Sequence, residues 1–311
     1  MKLLVSSAPH ITGKDSTASL MRDLIIAMVP AMAASVFFFG VQTLILTAVS
    51  VLACVAFEYL YEKMLKKPIT VGDLSAAVTG ILLAFNCPPT LPLWTVVVGA
   101  FFAIIIVKQL FGGLGYNFAN PAIVARIILG LGYTGLMTSW TFPATVSGDA
   151  VASATPLAVY AAGGTVNYLD MFVGSTGGVL GETSALALLL GFVYLVVRKV
   201  ISPTIPVTYV ATVAVLAVVL GVDPVVYVLG GGLLLGAIFM ATDYVTSPYT
   251  EKGKIIFGIG LGVITVIIRR FGSMTEGVSY AILLMNLVVP YINKATRQRP
   301  LGAPKAVKEA K

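Results

Sequence analysis

The residues from 149 to 158 read Asp149-Ala150-Val151-Ala152-Ser153-Ala154-Thr155-Pro156-Leu157-Ala158, a small and polar stretch in a chain that is otherwise mostly apolar. The reactive group it offers is the Thr155 hydroxyl. Such a hydroxyl is a poor nucleophile near neutral pH unless a neighbour activates it, and no His or Cys lies close by in the sequence. Thr155 therefore does not read as a self-activated nucleophile; a role as acceptor for another enzyme stays open. Pro156 biases the Thr155 backbone toward an extended conformation, which presents the side chain. The small neighbours leave room around it. An ordinary loop closed by a Thr-Pro turn also fits the same ten residues.

Other groups with chemical reach are few. The run Gly174-Ser175-Thr176-Gly177-Gly178-Val179-Leu180-Gly181-Glu182-Thr183-Ser184 leads into an apolar segment. A glycine-rich lead into a helix presents backbone N–H groups to a phosphate; a close-packed turn with Thr183 or Ser184 as helix cap is the plainer alternative. Asn117 and Asn120 offer amide donors and acceptors together, and Asn120 before Pro121 also has the pattern of an N-cap with proline at the first helical position. Arg126 falls within an apolar run, and ionisable groups inside a membrane are functional candidates by default. Glu58, Asp73 and Asp243 fall near run ends, where solvation is the rival reading; Asp243 is the candidate for an ion pathway. Cys54 and Cys87 show no metal-ligand spacing and read as small hydrophobes. The lone histidine, His10, cannot build a metal site. No catalytic acid, base or metal constellation is expected.

These groups must be held by membrane helices. The chain has 311 residues, 58% hydrophobic and only 11% charged, with mean hydropathy +0.97; soluble domains carry roughly 25% charged residues. The long apolar runs define an all-α polytopic membrane protein, because backbone groups in lipid must be paired within the segment. Ten runs can be drawn, at 24–40, 43–61, 74–86, 93–111, 119–134, 183–198, 206–221, 224–242, 254–268 and 277–293. The third is short, stopping at Asn86-Cys87-Pro88-Pro89. The eighth contains Gly230-Gly231-Gly232, and the ninth is short too. Interrupted helices of this kind often mark sites.

With ten crossings, Arg269 and Arg270 stand alone on one side and Arg126 lies within a span. Every other Lys and Arg falls on the opposite side, which places both termini in the cytoplasm. The formal charge of +7 is then a topology signal and not a nucleic-acid signal. The organisation follows: a cytoplasmic segment 1–23, whose residues from 11 onward form an interfacial lead-in; a first membrane half 24–134; an extracytoplasmic connection 135–182; a second half 183–293; and a basic tail 294–311. The connection holds Thr155 and contains no Lys or Arg, yet it is too apolar and aromatic for disorder. Gly72-Asp73-Leu74-Ser75-Ala76 and Gly181-Glu182-Thr183-Ser184-Ala185 form a weak echo, compatible with inverted repeats or with chance.

Five motifs in register extend along the chain: Ser7-Ala8-Pro9-His10, Pro88-Pro89-Thr90-Leu91-Pro92-Leu93, Lys108-Gln109-Leu110-Phe111-Gly112-Gly113-Leu114-Gly115, Asn117-Phe118-Ala119-Asn120-Pro121-Ala122 and Ser153-Ala154-Thr155-Pro156-Leu157. Together they resemble the RnfD family of membrane subunits, from the Rnf ion-translocating electron transport complex. That family is homologous to a membrane subunit of the sodium-pumping NADH:quinone reductase. The Asp149…Ser153-Ala154-Thr155 spacing resembles the acceptor signature of flavin transferases. The resemblance implies about ten helices in two inverted repeats on a urea-transporter-like scaffold, in a bacterial or archaeal cytoplasmic membrane. It implies FMN joined to Thr155 through a phosphodiester on the outer side, with Asp149 and Ser153 as part of the signature. It also implies, from related subunits, a non-covalent riboflavin near Asn117 and Asn120. Because the outer connection has no cation of its own, the phosphodiester would rest on Gly177, Gly178, Glu182 and Thr183. The implied role is that of one subunit of an electron-driven Na⁺ or H⁺ translocase, incomplete alone. Its implied partners are the other Rnf subunits, including the FMN-bearing RnfG, a flavin transferase and the bilayer. A small-solute channel or secondary transporter on the same scaffold is the rival reading, and a structural anchor the next.

Overall fold

The computed structural model describes residues 16–140, 154–272 and 277–298. Among them the regular structure is entirely helical. The principal helices are α1 (Thr17–Phe39), α2 (Gln42–Met64), α3 (Ser75–Phe85), α4 (Leu93–Phe101) and α5 (Pro121–Gly132). A short α6 (Thr134–Met137) follows, then α7 (Pro156–Ala161) and α8 (Tyr168–Val173) in the long connection. The second half holds α9 (Ala185–Val197), α10 (Thr204–Val219), α11 (Pro224–Leu229), α12 (Leu233–Leu235), α13 (Glu251–Phe271) and α14 (Val278–Thr296). Two stretches wind as π-helix: Phe102–Gln109, continuing α4, and Gly236–Met240, continuing α12.

Each of the ten apolar runs thus contains a helix or a broken helix. By length and composition, α1, α2 and α14 are long and apolar enough to cross a membrane. The ninth run is not short: α13 has 21 residues, because Thr250 caps it ahead of the apolar part and accepts from the Gly253 N–H. Residues 17–23 are not a separate lead-in either; they are the first turns of α1, started by a reciprocal cap between Ser16 and Ser19.

Sequence accounts for the breaks. Three helices begin with the same device, an oxygen-bearing N-cap followed by proline at the first helical position: Asn120-Pro121, Thr155-Pro156 and Asp223-Pro224. Proline has no N–H to lose there, and the cap oxygen satisfies donors that would otherwise be orphaned. Between α11 and α12 the chain turns through Gly231 (φ 64°) and Gly232 (φ 68°), a backbone that other residues adopt at a cost. The longest shared interface is that of α10 with α13. Glycine makes it close: a Cβ on Gly258 would lie 1.9 Å from the Thr208 hydroxyl, and one on Gly262 2.5 Å from the Thr212 side chain. Small residues that admit such approach are the usual means of helix association in membranes.

Contacts sort the helix termini into two ends. At the basic end Arg198 pairs with Asp23 at 3.2 Å, Thr204 bonds to Glu251 at 2.8 Å, and Thr250 bonds to Thr296 at 2.7 Å. At the opposite, cap end the Asp223 N–H donates to the Tyr160 phenol oxygen at 2.8 Å, and the Tyr168 hydroxyl donates to the Asp223 carboxylate. That bond, together with the carboxylate charge, holds the Tyr168 phenol above its usual pKa. The described part of the connection is ordered and packed, with Leu157 and Met171 buried.

The two echo segments start their helices differently. Leu74 before α3 is left-handed (φ 65°), whereas Ser184 before α9 is extended and accepts from the Ala187 N–H. It is the end of α3 that meets the approach to α9: Leu180 N–H bonds to Cys87 C=O at 3.1 Å and Gly181 N–H to Phe85 C=O at 2.9 Å. Carbonyls that α3 leaves unpaired are thus satisfied by the approach to α9. A Cβ at Gly181 would stand 2.4 Å from the Phe85 Cβ. Gly181→Ala is therefore expected to destabilise the protein by about 1–3 kcal/mol, as overpacking does. A melting curve of the detergent-solubilised variant that overlays the wild type would contradict this.

Candidate functional site

Thr155 is the N-cap of α7. Its backbone is extended (φ −65°, ψ 152°), as Pro156 dictates, and its hydroxyl accepts from the Ala158 N–H at 3.4 Å. The side chain is only 3% exposed. It lines a crevice of about 10 Å³ with Met171, Thr176, Gly177, Gly178, Glu182, Thr183, Gly230 and Gly231. Four residues expected from sequence to serve the same group, Gly177, Gly178, Glu182 and Thr183, do converge on Thr155. Asp149 and Ser153 lie outside the described residues. The cap role expected at Thr183 or Ser184 is taken by Ser184.

The glycine break at 230–232, readable in the sequence as a site marker, was not joined there to Thr155. Gly230 and Gly231 bring the α11–α12 break to the crevice, and behind them lies Arg269, 9% exposed. Its guanidinium donates to the carbonyls of Tyr227, Gly230 (2.9 Å) and Gly231 (3.0 Å). Arg269 was legible only as a cation on the side opposite the others; its approach to Thr155 depends on how α13 packs.

Glu182 and Gly231 also line a second small cavity, shared with Asn86, Arg126, Gly232, Gly236, Met240 and Ser279. Arg126 donates to the Ser279 hydroxyl at 3.0 Å. Gly232 is needed beside Glu182, because a Cβ there would meet the carboxylate at 2.4 Å.

The third cavity, about 70 Å³, lies toward the basic end and is lined by Asn117, Asn120, Asp243, Thr242, Ser75 and Lys108 among others. Asn117 and Asn120, paired in the sequence analysis, are brought together, and Asp243 joins them. Asn120 caps α5, with Oδ1 accepting from the Ala122 N–H at 3.0 Å while Nδ2 donates to the Met240 carbonyl at 3.3 Å. Capping and lining the cavity are therefore compatible. Asn120→Ala should lower stability by about 1 kcal/mol through the lost cap, measurable as a fall in melting temperature.

Beside this cavity lies a buried ion pair that sequence did not reveal. Lys108 Nζ is 2.6 Å from Glu58 Oε1, with the residues 3% and 0% exposed. Lys108 also donates to the Ser75 hydroxyl at 2.6 Å, and Gln109 donates to Glu58 at 2.9 Å. Solvation of Glu58 at a span end is thus overturned, as is a place for Lys108 among the inner surface charges. Both residues lie at the end of the π-helical stretch 102–109, on the face that also buries Ala100, Ile104 and Val107.

A membrane-embedded helical bundle with polar cavities along its interior is the class that these features define. The chain matches the model of the NQR2, RnfD, RnfE family over residues 4–302 and belongs to that family. It is 52% identical to the D subunit of the Na⁺-translocating ferredoxin:NAD⁺ oxidoreductase complex of Acetobacterium woodii, over 100% of this chain and 99% of the relative. It is 40% identical to the D subunit of the proton-translocating ferredoxin:NAD⁺ oxidoreductase complex of Clostridium ljungdahlii, over 96% of each. Identity to the D subunit of the ion-translocating oxidoreductase complex of Methanosarcina acetivorans is 37%, again over 96% of each.

Proposed function

We propose that this protein is the RnfD-type membrane subunit of a complex that couples ferredoxin:NAD⁺ electron transfer to Na⁺ or H⁺ translocation, and that it carries FMN on Thr155. Full-length similarity to subunits of such complexes supports the first half. The observation carrying the second is the convergence on one hydroxyl of Thr176, Thr183, four glycines and the Glu182 carboxylate, with the Arg269 guanidinium close to Gly231. Hydroxyls, backbone amides and a buried cation suit a phosphodiester. At about 10 Å³ the crevice must open to admit the phosphodiester, and the ring would lie over the cap end. Flavin passes electrons singly or in pairs, and the chain's part is to hold and tune it.

On this reading the cap end faces outward and the basic end faces the cytoplasm with both termini. The ten helical segments cross the membrane as two inverted repeats on a urea-transporter-like scaffold. The cavity at Asn117 and Asn120 takes a second flavin, riboflavin, whose ring edge pairs with amide donors and acceptors; at about 70 Å³ it must widen to do so. Asp243, at its wall, is the candidate on the ion path. Partners are the other Rnf subunits, including the FMN-bearing RnfG, and a flavin transferase for maturation.

The test is mass spectrometry of the proteolytic peptide spanning Thr155, from cells that supply the transferase. The peptide should carry the added mass of FMN. A bare peptide from such cells would leave a small-solute channel or secondary transporter on the same scaffold as the better account.

A further inference from the structure

We infer that Arg269 is a positioning residue for the group on Thr155: its guanidinium fixes the break between α11 and α12 and holds a buried positive charge behind the crevice. The inference rests on the reading of Thr155 as the flavin-bearing residue.

Helices α11 and α12 part at Gly230–Gly232, which leaves carbonyls with no intrahelical partner inside the bundle. Such a break is tolerated only if those groups are satisfied by protein. Arg269 satisfies three at once, at Tyr227, Gly230 and Gly231, and lies over the Tyr227 ring at 5.8 Å. The planar fork of arginine can serve several acceptors in fixed directions, which a lysine ammonium cannot match. The same two glycines form a wall of the Thr155 crevice. Gly231 is approached closely by two side chains: a Cβ built on it would meet Arg269 Nη2 at 2.7 Å and Leu157, two residues from Thr155, at 3.2 Å. The cation and the α7 segment thus come close to the same backbone residue. A phosphodiester on Thr155 is an anion, and reduction adds negative charge to the ring it carries. A fixed positive charge in a low-dielectric interior favours both. Neighbouring Arg270 is exposed and supplies a control at the adjacent position.

The test compares Arg269→Gln, Arg269→Lys and Arg270→Gln in the assembled complex, each expressed with its flavin transferase. Two quantities are read: flavin attached at Thr155, by in-gel fluorescence and peptide mass, and the midpoint potential of that flavin. Arg269→Gln is expected to lower attachment several-fold and to make the remaining flavin harder to reduce. The expected change in its reduction equilibrium is about tenfold, or ~30 mV for a two-electron couple. Arg269→Lys keeps the charge and loses the fork, so its attachment should fall while the potential stays near wild type. Arg270→Gln should change neither. Wild-type loading and potential in Arg269→Gln overturn the inference. If that variant does not accumulate, a fully loaded Arg269→Lys complex overturns it instead. A wild-type complex with no flavin on Thr155 overturns the reading beneath the inference, and is distinguished by the bare peptide.

Discussion

Replacing Thr155 with valine is expected to abolish flavin fluorescence at this subunit's band in a denaturing gel, and to remove the added FMN mass from the peptide. Valine is close in shape but has no hydroxyl, so the loss is total. The structural cost is modest. The Thr155 hydroxyl caps α7 through one bond of 3.4 Å, and losing an N-cap costs about 1 kcal/mol. The helix it starts is six residues long and is held mainly by burial of Leu157. The variant should therefore fold and assemble dark. Fluorescence that survives the substitution would move the attachment elsewhere, and loss of the whole protein would mean that the cap matters far more than its geometry indicates.

The second large effect concerns Lys108. Lys108→Met should destabilise the protein by about 3–5 kcal/mol, because it leaves Glu58 buried without its cation. Glu58 is fully enclosed, and its Oε2 already has no hydrogen-bond partner. Gln109 remains as a donor to Oε1 but cannot neutralise the charge. The double variant Glu58→Met/Lys108→Met should recover most of the loss, since replacing both members of a buried pair by apolar groups is often close to neutral. Melting temperatures of the three detergent-solubilised proteins decide it. A double variant as unstable as the single one would show that Ser75 and Gln109 need the charges for more than mutual compensation.

Much of the fold was legible because its signals are local. Apolar runs gave helix positions, Asn120-Pro121 gave a cap that the backbone honours, and Pro156 gave the extended backbone of Thr155, though not the helix it caps. The glycine-rich approach to α9 was readable as a partner for Thr155, since a hydroxyl acceptor and a source of amide donors have compatible chemistry. What failed was pairing at a distance. Glu58 and Lys108 are far apart in sequence, and nothing in either apolar run marks the two as partners. Arg269 lies beyond the end of a run that reads as short, and its role depends on carbonyls released by a break in another helix.

The joint between Phe85–Cys87 and Leu180–Gly181 bears on biogenesis. The carbonyls at the end of α3 find their donors about a hundred residues downstream. At ribosomal rates of roughly 5–20 residues per second, that is a wait of about 5–20 s. During it the nascent first half offers unmet acceptors at a depth where water is scarce. The emerging chain therefore needs shelter, in the translocon or beside another subunit, until its own later segment arrives. A truncation ending before residue 180 would never outgrow that need.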